Sequence, residues 1–271
     1  MLAFRSRERL SAAGDRSMKK SREKKAKKGF CGNTLKMIAA VTMLIDHLAV
    51  VVLKGYVNAR AAFIPEEQIA GYEILYDWMR RIGRMAFPLF AFLLVEGFFH
   101  TKDRKEYGQR LLLAALLSEI PYDLAVYGQV WCIERQNTIF TLFLGLVILQ
   151  CMEWAKPRLL LQAVVLAAGC GLSWLCRLDY TYLGILLIGV FYFFQGYRRA
   201  AAVSGFCVFA GTPWSLPAFL LLPFYNGRRG SRPGGKRRRP GRRRNGRWFY
   251  LFYLIHLLVL YGMLQIILRI V

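Results

Sequence analysis

The feature that most constrains this chain is an apolar run, Leu35 to Lys54, with an acid and an imidazole near its middle. It is about the length a helix needs to cross the ~30 Å hydrocarbon core of a bilayer. An ionised Asp at the centre of such a helix costs roughly 3 kcal/mol on insertion scales, so a protein partner, water or a substrate must offset it. Asp46 and His47 are therefore the first candidates for function. Consecutive residues on a helix point about 100° apart, so each is expected to find its own partner on another segment.

The apolar runs recur. Further spans are expected at 82–99, 111–127, 136–152, 159–176 and 181–194, and a last one at 248–270. Residues 55–81, with Glu66, Glu67, Glu73 and Asp77, read as a polar loop on the outer side. Pro88 falls inside the second run and predicts a kink there, and Pro121 lies between Glu119 and Asp123 in the third. The runs lack the alternation a barrel needs, so the expected fold is all-α: a polytopic integral membrane helical bundle of about 8–9 transmembrane segments. A hydrophobic content of 56% leaves little sequence for a separate soluble domain, and residues 33–271 are read as one transmembrane unit.

The formal charge of +23 resembles that of a nucleic-acid binder until it is located. Residues 1–36 hold 12 Lys and Arg against 3 acids, and residues 227–247 hold 11 with no acid. Both stretches flank apolar spans, which points to the positive-inside rule and anionic lipid, and makes nucleic acid an unlikely partner. Residues 1–32 are expected to be a disordered cytoplasmic tail, with Met18 an alternative start, and 227–247 a disordered basic loop on the same side. That placement requires 200–225 to break at Gly211-Thr212-Pro213 into two short segments, about 200–211 and 214–225.

None of the six cysteines forms a C-x-x-C pair or lies at metal-ligand spacing from a histidine, so no metal site is expected. They are read as unpaired thiols, Cys132 and Cys176 being the two that the topology could bridge.

With the N-terminus inside, Asp46, His47, Arg84, Glu119, Asp123, Gln136, Asn137 and Asp179 fall at one outward-facing level. Glu119 and Asp123 are four apart and share a helix face, so one is expected to be protonated or matched to Arg84 or His47. Glu96 lies a turn from the inner end of its span, and His256 sits in the last one.

Several motifs then occur in a telling order: Asn33-Thr34-Leu35-Lys36-Met37-Ile38-Ala39-Ala40 leading to Ile45-Asp46-His47; Ile82-Gly83-Arg84-Met85-Ala86-Phe87-Pro88 with Phe92-Leu93-Leu94-Val95-Glu96-Gly97; Leu117-Ser118-Glu119-Ile120-Pro121-Tyr122-Asp123; Gln136-Asn137; Tyr225-Asn226-Gly227-Arg228-Arg229-Gly230; and Phe252-Tyr253-Leu254-Ile255-His256-Leu257. Together they resemble the TraX family over roughly residues 33–265. The resemblance implies a multi-pass bacterial inner-membrane protein of the acyltransferase kind, whose plasmid-encoded namesake is associated with N-acetylation of a pilin subunit. The basic extension before residue 33 and the arginine-rich insert after Gly227 depart from the family pattern.

Acetyl transfer from a thioester to an amine or hydroxyl needs a general base, an oxyanion donor and a dry site. His47 suits the base, with Asp46, Glu119 or Asp123 to orient it, and Arg84 or Asn137 suits the oxyanion. Glu96, Gln136 and His256 are candidates for substrate contact. Acetyl-CoA is the expected acyl donor, with Asn226, Arg228 and Arg229 on its phosphates; the acceptor is a pilin N-terminus or a cell-surface molecule. Two other readings compete. A proton- or ion-coupled transporter would use the buried acids and histidine as a relay, and a nucleic-acid-binding membrane anchor would use the basic loop.

Overall fold

The computed structural model describes residues 29–228, 230 and 245–270; the basic tail, most of the arginine-rich loop and Arg229 lie outside the described residues. Among the described residues every regular element is a helix, and the only β contacts are isolated bridges.

Helix α1 (Gly32–His47) passes through a π-helical stretch, Leu48–Leu53, into α2 (Lys54–Arg60), making one long rod. The chain then returns as α3 (Glu66–Gly83) and α4 (Ala86–His100). These two rods, Gly32–Phe63 and Glu66–His100, and the last helix are long and apolar enough to cross a membrane. The returning rod corrects the sequence reading at 55–81, which is mostly helix. Low mean hydropathy disguised it, because α3 is amphipathic, with exposed Ile74, Leu75 and Trp78 beside its acids. Pro88 also behaves differently from the expected kink. It falls in the first turn of α4, where its missing N–H would have had no intrahelical partner, so it starts the helix.

The remaining elements are α5 (Arg104–Tyr127), α6 (Thr138–Trp154), α7 (Leu159–Leu175), α8 (Thr181–Phe193), α9 (Arg198–Val208), α10 (Leu216–Leu221) and α11 (Asn245–Ile270). Pro121 is carried inside α5, which continues past it to Tyr127. Shorter apolar helices occupy 138–154, 159–175, 181–193 and 213–224.

Two pairings fix the ends of the bundle. Phe30, just before α1, bridges Tyr225, and the Gly32 N–H donates to the Arg228 carbonyl at 2.7 Å. The segment that follows α10 therefore comes back to the end from which α1 starts, here the near end. α9 and α10 accordingly form two short pieces separated at Ala210-Gly211-Thr212. Gln136, before α6, bridges Leu178, before α8, at the far end. The helices alternate between these ends. Their packing is close: a Cβ on Gly145 of α6 would meet the tip of the Ile188 side chain of α8, which would have to move aside. The buried core is rich in aromatics, including Phe87, Phe98, Phe191 and Phe219.

All six cysteines are free thiols. Among the described residues no group of three or more His, Cys, Asp or Glu is arranged to hold a metal ion.

Candidate active site

Helix α1 presents Lys36, Ala40, Met43 and His47 on one face, spaced at i, i+4, i+7 and i+11. The first three line a cavity of about 660 Å³ that lies among α1, α4, α5, the start of α6 and α11. Such a volume suits a small-molecule or cofactor site. Near-end residues Asn33, Lys102, Asp103 and Arg110 line it, and the lining reaches inward to Thr138 and Tyr253. His47 is the next step of the α1 stripe beyond Met43; it does not itself line the cavity but meets the lining residue Tyr253.

His47 is 9% exposed, and its Nδ1 lies 2.7 Å from Nε2 of His256, which is 5% exposed. His256 Nδ1 in turn lies 2.8 Å from the Phe252 carbonyl. This chain of contacts assigns the tautomers. A carbonyl only accepts, so His256 Nδ1 carries a proton and, in the neutral ring, its Nε2 is a bare acceptor. His47 Nδ1 must then carry the proton between the rings, which leaves the lone pair of His47 on Nε2. The two rings stack with centroids 5.0 Å apart, and Tyr253 meets both edge-on, at 6.0 Å from His47 and 5.5 Å from His256. His47 is thus oriented by an imidazole and a backbone carbonyl, and not by Asp46, Glu119 or Asp123.

Asp46, one residue earlier, faces a different neighbour. Its Oδ2 accepts from the Arg80 guanidinium of α3 at 2.5 Å, with both side chains mostly covered. Gly83, one turn beyond Arg80, passes so close that a Cβ there would overlap the Asp46 carboxylate. Arg84 lies within electrostatic reach of Asp46 and of Asp179. The Asp179 carboxylate accepts from the Thr138 hydroxyl at 2.6 Å, and enclosure holds its pKa above the usual carboxylate range. Asp46, Arg80, Arg84, Thr138 and Asp179 form a polar layer separate from the histidine pair.

Most of the other predicted residues are engaged by their neighbours in the scaffold. Asn137 is fully buried; it caps α6 through the Ile139 N–H and donates to the Ala115 carbonyl at 2.8 Å and to Glu119 Oε2 at 2.5 Å. With every polar atom engaged, it has no donor left for an oxyanion. Glu119 is its partner rather than that of Arg84 or His47, although Glu119 Oε1 is buried without one. Asp123 accepts from the Cys132 N–H at 2.8 Å and so closes the loop after α5. Gln136 donates its backbone N–H to the Arg177 carbonyl, part of the bridge to Leu178. Glu96 does line the cavity, near its mouth and beside His100.

Of the residues expected on CoA phosphates, Asn226 is occupied at both ends of its amide. It accepts from the Arg228 N–H at 2.9 Å and donates to the Gly29 carbonyl at 3.1 Å. Arg228 is exposed, and Arg229 is outside the described residues. The cations that line the cavity are Lys36, Lys102 and Arg110. Sequence reasoning missed Arg80, because its segment read as a loop, and Tyr253, whose signal was its place one helical turn before His256.

A family model described as TraX protein matches residues 31–264. The chain belongs to the TraX family. A TraX-type match over that range takes in every helix described above up to the last turns of α11. The chain is also 26% identical over 259 residues to the "Probable fimbrial assembly protein FimC, serogroup H1" of Dichelobacter nodosus, covering 85% of this chain and 94% of that one. No solved structure matches. Family and apolar helices together make this TraX protein a membrane protein.

Proposed function

We propose that this chain is a membrane-embedded acyltransferase that takes acetyl from acetyl-CoA and delivers it to an amine or hydroxyl acceptor. The observation that carries the reading is the two-imidazole relay of His47 and His256, which engages Nδ1 of His47 and packs against Tyr253 of a cavity whose mouth has Lys36, Lys102 and Arg110 among its charged groups. His47 takes the proton of the acceptor's attacking group as its lone pair on N or O adds to the thioester carbonyl carbon. The tetrahedral adduct collapses, the C–S bond breaks, and the CoA sulfur leaves with the proton that His47 returns. His256 keeps the imidazole in the reactive tautomer and, with the Phe252 carbonyl, spreads the transient positive charge.

The mouth lies at the end where the basic tail and the arginine-rich loop attach. The positive-inside rule then makes the near end cytoplasmic, in a bacterial inner membrane, with nine crossings or partial crossings alternating from α1 to α11. Acetyl-CoA is cytoplasmic, so it enters from that side, its phosphates near Lys36, Lys102 and Arg110. The acceptor approaches from the far side. The name of the fimbrial relative favours a pilin subunit, and a cell-surface molecule is the other candidate.

The test is acetyl transfer by protein purified into nanodiscs, with labelled acetyl-CoA and candidate acceptors. Acceptor-dependent CoA release is the expected result, and ion flux without acyl transfer would replace this reading with a transporter. Cysteines introduced near residue 236 should label from the cytoplasmic side only.

A further inference from the structure

The acyltransferase reading leaves one requirement unfilled. Charge builds on the thioester oxygen as the acceptor attacks, and a preorganised donor must meet it. Asn137 is consumed by the α6 cap, and Arg84 belongs to the polar layer with Asp46 and Asp179.

Tyr253 is the cavity-lining residue that touches His47. It lines the inner end of the cavity and is 5% exposed. Its ring is fixed edge-on against both His47 and His256, which leaves the hydroxyl little freedom to swing away. That hydroxyl is buried with no partner at hydrogen-bond geometry, although Thr138 stands beside it. The Thr138 hydroxyl gives its own proton to Asp179, so toward Tyr253 it can act only as an acceptor, and the pair does not reach hydrogen-bond geometry. A buried phenol normally finds a partner, because an unsatisfied one forfeits its hydration. Outside hydrogen-bond geometry with Thr138, the buried O–H is free to donate to a group bound in the cavity.

We infer that Tyr253 is a catalytic residue whose hydroxyl donates a hydrogen bond to the carbonyl oxygen of the acyl donor and stabilises the oxyanion of the tetrahedral adduct. The proposal rests on the acyltransferase reading. The phenol keeps its proton throughout: His47 moves the only proton transferred, and the electron pair passes from acceptor to carbonyl oxygen and then to the leaving sulfur. Tyr253 and His256 lie three residues apart on α11, so one helix face holds both the oxyanion donor and the group that orients the base.

Tyr253→Phe preserves the ring contacts and removes only the hydroxyl. In nanodiscs it should lower kcat about 10²-fold, the scale of losing one oxyanion donor, with the KM for acetyl-CoA and the Tm unchanged. A second measurement uses the ketone analogue of acetyl-CoA in which a methylene replaces the sulfur. Its bound carbonyl stretch should lie at lower frequency in the wild type than in Tyr253→Phe. Equal rates and equal stretches in the two proteins would overturn the assignment and leave the acyltransferase reading intact. A wild type that neither transfers acetyl nor binds the analogue would overturn both.

Discussion

Asp46 and His47 are adjacent in the chain and belong to different parts of the machine. Asp46 joins a charged layer, paired with Arg80 across α1 and α3. His47 joins an uncharged relay, paired with His256 across α1 and α11. The ion pair matches charges that would each be costly alone in a low-dielectric bundle, and it locks two rods together. The relay contains no formal charge, costs little to bury, and leaves one lone pair unspent. Adjacency in the chain is thus a poor guide to partnership here; in the proposed reaction it is the neutral pair that supplies the base.

That contrast can be broken in order of expected effect. His47→Gln should reduce acetyl transfer about 10³-fold, as loss of a general base does, with the Tm within a few degrees of wild type. His256→Ala should cost about 10²-fold in kcat, because His47 is then free to take either tautomer, and the variant should keep its affinity for acetyl-CoA. Arg80→Met should act on the other side of the comparison. It strands a largely covered carboxylate and should lower stability by about 2 kcal/mol, below the range for fully buried pairs because Arg80 is 25% exposed, while kcat changes only several-fold. Adding Asp46→Asn should restore much of that loss. Asn226→Ala should cost about 1 kcal/mol of stability and leave the KM for acetyl-CoA unchanged, since its amide is spent on the Phe30 to Arg228 junction. A large rise in that KM would return Asn226 to the CoA site.

The sequence was most legible where hydropathy alone decides. The apolar runs at α1, α4, α6, α7, α8 and α11 stand close to where they were expected, and so does the break between α9 and α10. It was least legible where amphipathicity competes with charge. The acids of α3 hid an 18-residue helix, and with it Arg80, the partner of Asp46. Within the site, the choice of Asp46, His47 and His256 followed from the cost of burying polar groups in lipid, a local property of each run. Which of them meet is a long-range property. His47 and His256 are 209 residues apart, and no spacing rule joins them. Asn137 and Glu119 misled for a related reason: a buried amide and carboxylate look catalytic from the sequence, whereas here they tie the start of α6 to α5.

The most direct measurement of the central claim is the pH dependence of CoA release by wild type and His47→Gln in nanodiscs, at saturating acetyl-CoA and acceptor. The wild-type rate should fall at low pH, where a proton on His47 Nε2 removes the lone pair, and the variant should bind acetyl-CoA while showing only a small residual rate without that limb. A His47→Gln protein that releases CoA at the wild-type rate with the same pH profile would contradict the account.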